Sequence, residues 1–301
     1  MFVIHHKNYL LGLSALFIVV SIVAMFALGL QLGVDFTGGS ILEVRYEGEQ
    51  PKVEVLQALL LENGFENAIV QPIGEQGYIF RTETLPEDGH AQLLSLLREG
   101  GGTFSEVRFS QVGGVIGQEL QSKAWIAIVL TLLAIVLYIT YAFRKVSEPV
   151  SSWKYGVAAV VALIHNTVIP IGVFAILGHY FVEYQIDLLF VTAILAIFGF
   201  SVNDTIVIFD RVRENLRKDK EERTDKPFDV VVGESITETL ARSINISLAV
   251  ILVLGALYFF GGSGTKEFSL VLGLGVLFGT YSSICFAAPL LASFGGHKKQ
   301  R

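Results

Sequence analysis

The chain has 301 residues, 52% of them hydrophobic, and a mean hydropathy of +0.58. Apolar runs near 20 residues recur six times, so a water-soluble globular fold is excluded and helices that satisfy their own backbone in lipid are expected. The net charge of −6 conceals an acidic block, because residues 33–123 carry fourteen acidic and six basic side chains; this argues against nucleic acid as a partner, which would need a basic stripe.

His5, His6 and Lys7 precede an uncharged run over residues 9–32. The run exceeds the apolar core of a signal peptide and lacks an Ala-x-Ala site, so a retained first helix is expected. The two histidines are read as solvated flanking residues rather than metal ligands. Residues 33–40, GVDFTGGS, contain three glycines and predict a tight turn, with Asp35 as turn or cap residue and Gly38 and Gly39 at a hinge. A phosphate-binding loop is excluded there, since no strand precedes it and no Lys-Ser or Lys-Thr follows.

Residues 41–46 alternate like a half-buried strand, and residues 51–61 place Val53, Leu56, Leu59 and Leu60 at helical spacing. Short strands are predicted over 68–73 and 78–82. A second amphipathic helix begins near Pro86 and closes at Gly100, before a last strand over 103–112. The order strand, helix, strand, strand, helix, strand is the βαββαβ, ferredoxin-like pattern. The segment holds no catalytic cluster and no aromatic platform, so a binding or lever domain is expected, joined to the spans by glycine-rich segments at 33–39 and 113–117.

Five more spans are predicted, over 124–143, 156–177, 188–209, 243–260 and 268–291. Lys and Arg number three in 144–155, seven in 210–241 and three in the tail, against none in 178–187 and one, Lys266, in 261–267. The positive-inside rule then puts both termini in the cytoplasm and the acidic insert outside. The expected fold is an α-helical integral membrane protein with six transmembrane helices in a 1+5 arrangement. Its domains are a cytoplasmic N-terminus and first helix (1–32), an external ferredoxin-like domain (33–123), a five-helix transmembrane domain (124–293) and a cytoplasmic basic tail (294–301). Residues 228–241 are amphipathic, and fit either a helix lying along the membrane surface or a linker helix packed on the span ends.

Within the spans the informative side chains are polar. Asp204 interrupts the run 188–209, beside Ser201 and Asn203, although an aspartate at mid-helix costs about 2.5–3.5 kcal/mol on insertion scales. His165, Asn166 and Pro170 lie in the third span, Arg242, Asn245 and Ser247 at the start of the fifth, and Thr280, Tyr281, Ser282 and Ser283 in the sixth. Asp204 and Arg242 form the obvious pair. Two readings fit: a static bridge that locks two helices, with Asn203, Ser201 and Asn245 in support, or a titrating acid whose proton affinity is switched by an arginine that stays charged. His165 and Tyr281 are candidates to extend a relay. No catalytic residue, metal site or cofactor is expected.

These residues resemble the SecF family, subunits of the bacterial SecDF protein-export complex within the resistance-nodulation-division superfamily. The resemblance covers nearly the whole chain and rests on GVDFTGG (33–39), SVNDTIV (201–207), DRVREN (210–215) and TLAR (239–242). It implies a proton pathway through Asp204 and Arg242, a SecD-like partner subunit, the SecYEG channel as client, and an unfolded exported polypeptide in a lipid bilayer, the bacterial inner membrane. Two departures stand out. His165-Asn166 replaces the frequent His-Asp, and Gly113-Gly114 replaces the common Gly-Pro before the second span. Competing functions are half of a proton-coupled lipid or drug exporter, against which the single small insert argues, and a non-catalytic scaffold for the channel. An intramembrane protease would need paired Gly-x-Gly-Asp aspartates or His-Glu-x-x-His, and the sequence has neither.

Overall fold

A computed structural model describes residues 2–48, 50–74, 76–143, 150–181 and 183–295. The basic residues Arg144 and Lys145 and positions 296–301 of the expected tail lie outside the described residues. Two compact units are present: Leu32–Trp125 together with Gln185–Leu188, and the remainder of the chain.

The chain opens with a short helix α1 (Phe2–His5) and the apolar helix α2 (Lys7–Leu28). In the smaller unit the glycine-rich segment forms a single helical turn, α3 (Val34–Thr37), and not only a bend. It is followed by β1 (Gly39–Tyr46), α4 (Val53–Glu62), β2 (Ile69–Ile73), β3 (Gly77–Thr82), α5 (Gly89–Glu99) and β4 (Phe104–Val112). The four strands make one antiparallel sheet in the order β2-β3-β1-β4, with Leu42 opposite both Phe80 and Phe109. A bulge at Glu43/Val44 shifts the β1–β4 register. Leu42, Val44 and Tyr46 point into a core with Phe80, Leu56, Leu60, Leu93 and Leu97, so the apolar faces of α4 and α5 close one side of the sheet. β1 was expected to be half-buried, but Ile41 and Glu43 on its other face are buried too.

The segment leaving α2 is pinned to the second part of this unit. Leu32 pairs with Ile186, the Gly33 amide donates to the Ile186 carbonyl at 2.9 Å, and Asp35 Oδ2 accepts the Leu188 amide at 3.0 Å. Asp35 is therefore a cap, acting across sequence on an N–H that the start of a helix leaves unpaired. Gly38 and Gly39 both adopt positive φ, and a Cβ on Gly38 would stand 2.7 Å from the Gly114 Cα. The two glycine-rich segments thus pack on each other, which accounts for Gly38 and for Gly117, where a Cβ would stand 3.1 Å from the Gly38 amide nitrogen and the Phe36 carbonyl oxygen.

The larger unit is helical. The long helices are α6 (Gly114–Ala142), α7 (Ser152–Tyr180), α8 (Leu188–Glu222), α9 (Phe228–Phe260) and α10 (Ser263–Ser282), the last continuing through a π-helical turn (Ser283–Ala287) into α11 (Ala288–Phe294). With α2, six helical stretches are long and apolar enough to cross a membrane. α6 leaves Ile126, Val129, Leu130, Leu133 and Leu137 exposed, an apolar surface that suits lipid or another protein.

Three helices outrun the spans read from hydropathy by ten residues or more. α6 begins at Gly114, ten residues before the span expected from 124. α8 continues thirteen residues past Phe209, because its charges pair along the helix: Asp210 with Arg213, Arg211 with Glu214, Lys218 with Glu214 and Arg217 with Glu221. At 1.5 Å per residue α8 is roughly 52 Å long, against about 30 Å of hydrocarbon. α9 is unbroken from Phe228, so residues 228–241 are no separate surface helix. Val231, Val232, Ser235, Ile236 and Thr239 are its buried face. Asn215 of α8 donates to Ser235 and Glu238, and Arg211 also reaches Glu238, tying the charged ends of α8 and α9.

Candidate functional site

The polar residues of the spans converge between α7, α8, α9 and α10. Small residues make this possible. A Cβ on Gly275 of α10 would fall 2.1 Å from Ile197 of α8, and Gly279 lies over Ser201. Without those glycines the two helices could not approach closely enough for their hydroxyls to meet.

Asp204 is 2% exposed. Its Oδ2 accepts a hydrogen bond from Thr280 Oγ1 at 3.3 Å. Among the described residues no cation pairs with it. Arg242 and Asn245 lie on the exposed face of α9, and Asn203 is exposed on α8. The direct Asp204–Arg242 pair expected from sequence is therefore not formed. Neighbours in a list of buried-span residues need not share an interface: Ser243 and Ser247 turn inward on α9, which turns Arg242 and Asn245 outward.

A second polar line starts at His165, which is fully buried. His165 Nδ1 and Asn166 Oδ1 lie 2.9 Å apart, and Asn166 Nδ2 donates to Ser201 Oγ. Thr205, one turn on, donates to the Ser201 carbonyl and shares a hydrogen bond with Ser283 Oγ at 2.9 Å. The His165 ring stacks on Phe286 and on Tyr281, at 5.1 and 6.1 Å between centroids. Tyr281 OH in turn shares a hydrogen bond with Ser14 of α2 at 3.2 Å. His165 Nε2 is buried with no hydrogen-bond partner among the described residues. Pro170 adds to the polarity here, because it cannot donate to the Asn166 carbonyl one turn earlier.

Sequence reasoning singled out Ser247, Thr280 and Ser283 as polar span residues but gave them no role in the site; that Thr280 meets Asp204 and Ser247, and that Thr205 meets Ser283, came from the packing. The signal was present in the consecutive Thr280, Tyr281, Ser282 and Ser283 of an otherwise apolar helix. The π-turn at Ser283–Ala287 had no sequence signal; such single turns recur at functional sites. Among the described residues no three His, Cys, Asp or Glu side chains come together as metal ligands.

Two family descriptions match the chain. "Protein export membrane protein SecD/SecF, C-terminal" covers residues 92–297, and "SecD/SecF GG Motif" covers residues 23–49. The chain belongs to the SecD/SecF family. The GG-motif region contains the Gly38-Gly39 turn, and the C-terminal region contains every polar span residue described above except Ser14. Among SecD/SecF relatives, the protein translocase subunit SecF of Thermobaculum terrenum is 40% identical over 294 residues, covering 94% of this chain and 90% of that protein. The SecF subunit of Anaerolinea thermophila is 36% identical over 289 residues, covering 95% and 91%. The crystal structure of SecDF from Thermus thermophilus, described as a translocon-associated membrane protein, superposes with a TM-score of 0.82 at 31% identity. That comparison covers 96% of this chain and 38% of the SecDF chain.

Proposed function

We propose that this chain is a non-catalytic accessory subunit of the Sec protein-translocation machinery, and that it uses the proton-motive force to promote export of polypeptides across the bacterial cytoplasmic membrane. Family membership supports the translocation role. The observation that carries the proton step is Asp204: a carboxyl group buried among the long helices, with one hydroxyl partner and no ion pair among the described residues. A fixed buried charge without a counter-ion is costly, and taking up a proton relieves that cost. Arg242 is the counter-charge that another arrangement of the helices, or a partner, brings to bear on it.

The chain crosses the membrane six times in this reading, in a 1+5 arrangement with both termini cytoplasmic. Residues 33–123 form an external ferredoxin-like domain, a reading supported by the order βαββαβ and the sheet order β2-β3-β1-β4. Residues 124–293 are the five-helix domain and 294–301 the cytoplasmic tail. A SecD-like subunit covers part of the exposed apolar surface, lipids cover the rest, and SecYEG and an unfolded polypeptide are the clients. A single cysteine at Lys220 should be blocked by impermeant label from the cytoplasmic side only.

The test compares assembly and proton-driven translocation for Asp204 variants. Asp204→Asn should assemble with its partner and lose the stimulation that depends on proton-motive force, while Asp204→Glu should keep part of it. The potential acts on each translocated charge with about 2.3 kcal/mol per 100 mV, enough to bias a two-state bundle. A scaffold instead predicts poor assembly of Asp204→Asn. It also predicts recovery in Asp204→Asn with Arg242→Gln, where no titrating pair remains, and that recovery would overturn the proton reading.

A further inference from the structure

Thr280 stands where three oxygen partners compete for one proton. Its hydroxyl lies 3.3 Å from Asp204 Oδ2 and 3.0 Å from the Val276 carbonyl, and it shares a hydrogen bond with Ser247 Oγ in which either oxygen can be the donor. Ser247, 4% exposed, also reaches the Ser243 carbonyl on its own helix at 2.8 Å. A hydroxyl has one proton to give and two lone pairs to receive. The oxygens Asp204, Thr280, Ser247 and Ser243 C=O therefore form a chain across α8, α10 and α9, in which the donor direction of the Thr280–Ser247 link sets which of its neighbouring links can be filled.

We propose that Thr280 and Ser247 are positioning residues that report the charge of Asp204 to the turn of α9 carrying Arg242, by reversing the donor direction of this chain. This rests on the reading of Asp204 as a proton-binding group. When Asp204 is ionised it accepts only, so Thr280 donates to it and Ser247 donates to Thr280. The Ser243 carbonyl then has no side-chain donor. When Asp204 is protonated it donates to Thr280, Thr280 donates to Ser247, and Ser247 donates to the Ser243 carbonyl. One proton is added at the carboxyl group; the two hydroxyl protons only change partner, so no bond to oxygen is broken in Thr280 or Ser247. The bond from Ser247 to Ser243 is the i to i−4 back-bond that bends helices. Ser243 adjoins Arg242, so its turn is the one that aims the guanidinium. The device thus couples a buried carboxyl group to an exposed arginine that it does not touch.

Thr280→Val removes the hydroxyl at nearly constant shape, Thr280→Ser keeps it, and Ser247→Ala removes the next link without altering any group in contact with Asp204. Each is made in the full chain and reconstituted with its partner subunit, beside Asp204→Asn. Infrared difference spectra between acidic and alkaline buffer report the carboxyl band of Asp204, recognised by its loss in Asp204→Asn. That band should move to higher frequency in Thr280→Val, return in Thr280→Ser, and shift in Ser247→Ala as well. Proton-driven export should fall about tenfold in Thr280→Val, the equivalent of one hydrogen bond to a charged group, and about fivefold in Ser247→Ala, the equivalent of one neutral hydrogen bond, and persist in Thr280→Ser. An unshifted band with full export in Ser247→Ala overturns the chain, even if Thr280→Val assembles poorly. If Asp204→Asn itself keeps proton-driven export, the proton-binding reading fails instead; loss there with intact Ser247→Ala and Thr280→Val refutes the chain alone.

Discussion

Replacing Gly172 of α7 by alanine tests how the first helix is held. A Cβ there would stand 2.3 Å from Ser21 Cβ, 2.5 Å from Ser21 Cα and 2.7 Å from Ser21 Oγ. Non-bonded carbons rest at about 3.5–4.0 Å, so α2 and α7 must separate by about an ångström. The atoms met first are backbone and Cβ, which move only with the helix. The buried residues of α2 are Ser14, Ser21 and Ala24, so its docking depends on close approach of small side chains rather than on large apolar ones. Overpacking costs about 1–3 kcal/mol, and the upper half of that range is expected where backbone has to shift. Displacing α2 also strains the Ser14–Tyr281 hydrogen bond and the edge-on contacts of Phe17 with Phe278 and Tyr281. Unfolding in graded denaturing detergent gives the stability, and disulfide trapping between cysteines placed on α2 and α7 gives the separation. Gly172→Ala should lose about 2 kcal/mol and cross-link poorly. Ser21→Gly in the same chain should recover part of both, since Ser21 Cβ and Oγ are removed while its Cα remains. A Gly172→Ala chain with unchanged stability and unchanged cross-linking would refute this account.

Three further outcomes are expected. Gly38→Ala combines a φ of 75° with a contact of 2.7 Å to the Gly114 Cα, and should destabilise the sheet unit by about 2–4 kcal/mol, read as faster proteolysis within residues 33–123. Asp35→Ala leaves the Leu188 amide without its cap; a loss of about 0.5–2 kcal/mol should appear as faster hydrogen exchange at the start of α8. Tyr46, whose buried hydroxyl has no hydrogen-bond partner among the described residues, has its pKa pushed up to about 12 by burial and by Tyr78. The folded state therefore holds that proton more tightly than the unfolded chain. Stability is intact below about pH 10 and falls by on the order of 2–3 kcal/mol as pH rises through about 12, and Tyr46→Phe should flatten that alkaline loss.

Much of the architecture was legible because the signals were local. Runs of about 20 apolar residues report spans, and the alternation of residues 41–46 and the helical spacing of Leu56, Leu59 and Leu60 report a strand and a helix. The lengths of α8 and α9 were not legible, since hydropathy marks where lipid ends and not where a helix does. Charges such as Arg213 and Lys218 favour water but also pair along a helix, which α8 exploits beyond Phe209.

The candidate site divides along the same line. The sequence alone determined that Asp204 is anomalous, because an ionisable side chain in an apolar run is costly wherever the helix packs. It also marked Gly38 and Gly39 as a turn, since only glycine accepts positive φ there without strain. What tertiary structure decided is which polar residues meet. Asp204 found Thr280 and not Arg242, and Asp35 found the amide of a residue 153 positions away. Those outcomes depend on the rotation of each helix about its own axis, set by packing such as Gly275 against Ile197 and Gly172 against Ser21. An apolar helix with lipid on one side and protein on the other carries almost no amphipathic signal of that rotation. The side chains that meet are therefore settled by close contact between helices, which one-dimensional periodicity does not encode.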